Sequence, residues 1–92
     1  MKLSDLLINK RKELDWTLST ASERTGISAS YLSDIEHDRP VRMKMDTLQK
    51  ISNAYGINYD EILVAAERIP PDVYWKIVRN PDLLSIIRSY EV

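Results

Sequence analysis

Short polar side chains are concentrated in residues 17–36, TLSTASERTGISASYLSDIE. Ser30 can donate or accept a hydrogen bond, and Asp34 can accept one, as the exposed edges of nucleic-acid bases require. Thr17 stands where a helix would begin, and the free N–H groups of a helix start attract anions such as phosphate. The chain has no comparable set of catalytic residues, because it contains no cysteine nucleophile, no histidine pair and no glycine-rich phosphate loop. The residue types therefore predict recognition by hydrogen bonding and no enzymatic activity.

The spacing within this stretch predicts two helices joined by a tight turn. Thr17 and Ser28 are suited to cap the first and second helix, because a short hydroxyl accepts from unpaired backbone N–H groups. Gly26 ends the first helix where a positive φ is needed, and Ile27 then packs back onto it. Apolar side chains would meet between the helices at Ala21, Ile27, Leu32 and Ile35. An ordinary αα-hairpin inside a bundle uses the same turn and stays open as an alternative.

Helical spacing of apolar residues extends over the rest of the chain, and no strand pattern is convincing. Seven helices are predicted: 3–14, 18–25, 29–36, 45–55, 59–66, a short one through VYWKIVR, and 81–90. Gly56 repeats the Gly-Ile turn of Gly26, and Asn58 is suited to cap the fifth helix. Pro70 and Pro71 mark an internal boundary, since proline interrupts a helix.

The last predicted helix has its own start signal. Asn80 is expected to act as its cap and Pro81 as its first helical residue, because proline is favoured at that position. This signal resembles the Pro71-Asp72 start of the preceding helix.

Composition limits the classes of protein open to this chain. Its 92 residues suit one small domain with an extension, and the absence of cysteine excludes a disulfide scaffold and a thiolate zinc site. MKLSDLLINK makes a poor signal peptide and no apolar run is long enough for a bilayer, so a cytoplasmic protein is expected. No motif calls for a metal or a cofactor, so none is expected. The net charge of −1 counts against nucleic-acid binding unless cations gather locally. Arg39, Arg42 and Lys44 form one such group, and residues 10–12 form another.

Five segments in order resemble one known family. They are Arg11 within KRKEL, then TLSTASERTGIS, SYLSDIE, DTLQKISNAYGI and NYDEIL. Over residues 3–66 the chain resembles the Xre-type, phage-repressor and Cro-like helix-turn-helix family. The resemblance implies an all-α, lambda-repressor-like five-helix DNA-binding domain, residues 1–67, followed by a two-helix extension, residues 68–92.

The resemblance also carries roles for single residues. Base contacts are expected from Ala29, Ser30, Tyr31, Ser33 and Asp34. Phosphate contacts are expected from Thr17, Ser19, Ser28, Arg39, Arg42 and Lys44. Three alternatives stay open: the serines are solvated surface, Asp34 pairs with Arg39, or Tyr31 packs against the fourth helix. The resemblance further implies a partly buried salt bridge between Arg11 and Glu36.

The sequence departs from the family pattern at three places. Leu18 stands where many members have a glutamine that contacts phosphate. Glu36-His37-Asp38 replaces the usual Glu-x-Gly, although aspartate tolerates the left-handed conformation better than most residues. The following loop, RPVRMK, is about one residue longer than usual. His37, the only histidine, is expected to be exposed or bonded to a phosphate, and not to be a metal ligand.

The C-terminal extension contains many apolar side chains for its length. Dimer contacts are expected from Val73, Trp75, Ile77, Leu83, Ile86, Ile87 and Tyr90. The alternative is that both helices fold back on the first and fifth helices and enlarge the core.

Two functions from different classes follow. The first is a transcriptional regulator, a repressor that binds a palindromic operator as a homodimer through residues 29–36. The second is a protein-interaction module, an antitoxin or an adaptor, whose extension holds a partner protein.

Overall fold

Apolar residues at helical spacing build an all-helical structure over residues 1–91, the part of the chain that the computed structural model describes. Val92, the last residue of the predicted extension, lies outside the described residues. Seven helices occur in order: α1 Leu3–Glu13, α2 Leu18–Thr25, α3 Ala29–Glu36, α4 Met45–Tyr55, α5 Tyr59–Ala65, α6 Pro71–Arg79 and α7 Leu83–Ser89. The all-α, lambda-repressor-like fold expected from the sequence is confirmed.

The first five helices, here called the body, share one hydrophobic core. Its fully buried side chains come from every body helix: Leu7, Ala21, Leu32, Leu48, Ile51, Ile62 and Leu63. Helix α3 packs against α1 and α2, while α4 packs against α2 and α5. The core therefore holds α3 from one side only.

Local capping sets the helix boundaries of the body. Thr17, Ser28 and Asn58 each accept a hydrogen bond from the backbone N–H three residues on, as their positions predict. Gly26 and Gly56 end α2 and α4 with φ values of 74° and 68°. Asp15, Asp38 and Glu67 adopt the same left-handed conformation without glycine. Asp38 thus occupies the place of the family's glycine after α3.

The last two helices, here called the tail, contribute no buried residue. The alternative that they fold back and enlarge the core is not seen in residues 1–91, because the side chains packed against the core end at Ala66. The tail makes few close backbone contacts with the body, and the molecule measures 47 × 25 × 24 Å.

The predicted start of the last helix is also wrong. Helix α7 begins at Leu83, two residues later than expected. Asn80 closes α6 instead of capping α7, because its side-chain amide donates to the Lys76 carbonyl at 2.9 Å. None of the helices in residues 1–91 combines the length and apolar character needed to cross a bilayer.

Candidate nucleic-acid interface

Helix α3 presents a polar face to solvent. Leu32, Ile35 and Glu36 are buried on its inner side. Its outer face consists of Ala29, Ser30, Ser33 and Asp34, which are exposed or half-buried. These four positions lie within about two turns on one side of the helix. The predicted base-contacting residues, except Tyr31, therefore share one surface that the core leaves uncovered.

Two of the outer-face side chains have protein partners. Asp34 accepts a hydrogen bond from Arg39 at 2.9 Å, which is the alternative that the sequence left open. The Ser33 hydroxyl lies 3.3 Å from His37 Nδ1, and the same ring nitrogen donates to the Ser33 carbonyl at 2.7 Å. Within residues 1–91, Ser30 makes no side-chain hydrogen bond, so its hydroxyl is available to bind a ligand.

Tyr31 serves the loop between α3 and α4, residues 37–44. Its hydroxyl donates to the Arg42 carbonyl at 2.9 Å, and its ring packs against the core. The phenol O–H is thus already bonded to the loop backbone, and it lies away from the outer face on which the base contacts were expected. Tyr31 instead ties the loop to α3.

The loop separates its apolar and charged side chains by alternation. Val41 and Met43 point inward against the core, while Arg42 and Lys44 are exposed. Extended backbone sends successive side chains to opposite sides, which explains this division. Arg42 and Lys44 form no ion pair with a carboxylate of residues 1–91, whereas Arg39 is paired. The loop therefore presents two available cations beside α3.

The start of α2 adds a second group of anion-binding atoms. Thr17 and Ser19 are exposed, and Thr17 Oγ1 accepts from the Thr20 N–H at 3.1 Å. The N–H groups of Leu18 and Ser19 have no acceptor among the described residues. Unpaired donors at a helix start favour an anion. The Leu18 side chain packs against the core, so it supplies no polar contact.

A partly buried ion pair fixes the end of α3 to α1. Arg11 Nε and Nη2 donate to the two Glu36 oxygens at 2.7 and 2.9 Å, and Nη1 donates to the Trp16 carbonyl at 2.9 Å. Donating these hydrogen bonds to the Glu36 carboxylate raises the pKa of Arg11 above its usual value. Burial raises the pKa of nearby Tyr55 to about 12. The structure thus contains the salt bridge that the resemblance implied.

One contact at the loop was not predicted from the sequence. Arg68, just after α5, donates to the Met43 carbonyl at 2.7 Å. The two residues lie 25 positions apart, so no local pattern connects them. Among residues 1–91 no cluster of acidic, histidine or cysteine side chains could hold a metal ion.

The comparisons with known proteins agree with this geometry. A family profile described as Helix-turn-helix matches residues 7–62. A protein of Deinococcus deserti named HTH-type transcriptional regulator DdrOP3 is 34% identical over 67 residues, covering 73% of this chain and 51% of that protein. The chain thus spans about half the length of this relative. No solved structure matches the chain. From the profile, the relative and the turn geometry together, we conclude that the chain belongs to the Xre-like helix-turn-helix family.

Proposed function

We propose that this protein is a sequence-specific DNA-binding transcriptional regulator that inserts α3 into the major groove. The observation that carries the proposal is the uncovered outer face of α3, with the available cations Arg42 and Lys44 beside it. Family membership and the name of the Deinococcus relative support the same function. A helix of this diameter fits the major groove, where base edges are distinguishable.

Base recognition is assigned to the outer face. Ser30 is the central contact, since its hydroxyl can donate or accept at several bases. Ala29 contacts a thymine methyl group, and Ser33 lies beside them. Asp34 accepts from a cytosine amino group after exchanging its exposed pair with Arg39, which is worth only about 0–1 kcal/mol. The exchange frees Arg39 for a phosphate.

Phosphate binding is assigned to two places that flank the outer face. The start of α2 contributes Thr17, Ser19 and its free N–H groups, and Ser28 contributes its hydroxyl. The α3–α4 loop contributes Arg42 and Lys44. Such contacts position the domain without reading sequence, and they make affinity fall with salt.

Repression of a palindromic operator by a homodimer is part of the proposal. One body reads few base pairs, and a dimer places two recognition helices about 34 Å apart on one DNA face. The tail supports this assembly through its exposed apolar side chains, including Val73, Trp75, Ile86, Ile87 and Tyr90. Ile77 and Leu83, also assigned to the interface, are half-buried.

The DNA proposal is tested by selection from random duplexes, followed by titrations of the selected site at several salt concentrations. Arg42→Ala and Lys44→Ala should weaken binding to all duplexes and flatten the salt dependence. Asp34→Ala should instead change the base preferred at one position. Lys76→Ala, which removes a cation from the tail, is the matched control and should retain the wild-type salt dependence. No selected sequence, or equal effects of all four variants, would contradict the assignment.

A protein-interaction module, such as an antitoxin or an adaptor, is the second candidate. The exposed tail and the net charge of −1 favour it. Sedimentation equilibrium distinguishes the two candidate functions. If the protein is the proposed regulator, the wild type should be a dimer, and the double variant Ile86→Asp, Ile87→Asp should be a monomer. A monomeric wild type that selects no DNA and copurifies with another protein would support the module.

A further inference from the structure

Three side chains from outside the α3–α4 loop donate hydrogen bonds to three backbone carbonyls, two in the loop and one in the first residue of α4. Tyr31 donates to Arg42, Arg68 donates to Met43, and Tyr59 donates to Met45 at 3.4 Å. The backbone N–H groups of residues 41–43 have no acceptor within residues 1–91. Side chains, rather than a backbone ladder, therefore set the course of the loop.

Arg68 is placed for this contact by the end of α5. Glu67 adopts a φ of 60°, and the Arg68 N–H donates to the Leu63 carbonyl at 2.7 Å. This turn directs the half-buried Arg68 toward the loop, where Nη2 reaches the Met43 carbonyl and Nη1 lies 3.7 Å from Met45 Sδ. A guanidinium donates in a rigid fork, so it restrains the backbone it binds.

We propose that Arg68 is a positioning residue for DNA binding: it holds the loop in the conformation in which Arg42 and Lys44 can contact DNA phosphates. The inference rests on the proposed function. Met43 lies directly between these two cations, so a hydrogen bond to its carbonyl restrains both neighbouring residues. Preorganised groups bind more tightly because less conformational entropy is lost on association.

The test compares Arg68→Met with Arg79→Met, a matched change at an exposed arginine of the tail. Binding to the selected duplex should weaken several-fold in Arg68→Met and remain unchanged in Arg79→Met. Backbone ¹⁵N order parameters of Arg42 and Met43 in the free protein should fall in Arg68→Met alone. Arg68→Gln, which removes the charge and shortens the reach, replaces the Met variant if the latter fails to fold.

A double-mutant cycle separates positioning from direct phosphate contact. In an Arg42→Ala, Lys44→Ala background, Arg68→Met should cause no further loss, because the residues it positions are gone. An equal loss in both backgrounds, or unchanged order parameters and affinity, would overturn the inference. A wild type that selects no duplex would instead overturn the proposed function, and with it the inference.

Discussion

The body and the tail use similar helices in opposite ways. Helix α6 separates polar and apolar residues at least as sharply as α4 does. Yet α4 buries Leu48 and Ile51 completely, while α6 buries nothing within the described chain. Amphipathic spacing thus predicts that a face needs a partner, but not which partner. For α4 the partner is its own domain, and for α6 we propose a second copy.

The largest effect should come from the ion pair that fixes α3 in the body. Arg11→Met leaves the Glu36 carboxylate charged and buried, and removes the donor to the Trp16 carbonyl. The free energy of unfolding should fall by about 3–5 kcal/mol in urea titrations. Asp46→Asn, which breaks an exposed pair with Lys50, should cost less than about 1 kcal/mol. Equal small losses would show that burial of the pair contributes little.

The contrast between the regions is measured directly by one truncation in each. Leu32→Ala in the core should lower the free energy of unfolding by about 2–5 kcal/mol, because it leaves a cavity. Ile86 is 63% exposed, so Ile86→Ala should change the free energy of unfolding of the dilute monomer by no more than about 0.5 kcal/mol. At concentrations where dimers form, Ile86→Ala should weaken association. A large loss in the monomer would place Ile86 in an intramolecular core.

The turn that joins the body to the tail carries a smaller backbone cost. Glu67 has a φ of 60°, a conformation in which a side chain costs about 1–2 kcal/mol and glycine costs little. Glu67→Gly should therefore raise the free energy of unfolding by about 1 kcal/mol. Gly56→Ala should lower it by a similar amount, although no atom lies within 4 Å of the added methyl. Thermal unfolding of both variants measures the difference, and a loss in Glu67→Gly would contradict it.

A small effect at neutral pH is expected at Tyr55. Its hydroxyl has no hydrogen-bond partner within residues 1–91, so Tyr55→Phe should change stability by less than about 1 kcal/mol. Unfolded tyrosine ionises near pH 10, whereas burial raises the pKa of folded Tyr55 to about 12. Wild-type stability should therefore decline as the pH rises above 10, and less so in Tyr55→Phe. Parallel alkaline profiles of the two proteins would contradict the assignment.

Local signals in the sequence predict most of the fold. The caps Thr17, Ser28 and Asn58 and the two glycine turns depend only on neighbouring residues, so helix boundaries in the body follow from them. The start of α7 could not be predicted in this way. Asn80 has both a helix before it and one after it, and its side chain bonds to the preceding helix.

The candidate site was less accessible to sequence reasoning. The sequence raised the pairing of Asp34 with Arg39 as an alternative, but the choice depends on side-chain geometry at the end of α3. The contacts of Tyr31 and Arg68 with the loop depend on tertiary packing across 11 and 25 positions. Contacts between residues so far apart produce no periodic pattern in the sequence.

The central claim is that duplex DNA meets the outer face of α3. Backbone amide chemical shifts of ¹⁵N-labelled protein, followed while the selected duplex is added, test it most directly. We predict the largest changes at residues 28–34, with further changes at residues 17–20 and 42–45. Changes centred on residues 71–90, with α3 unaffected, would contradict the claim.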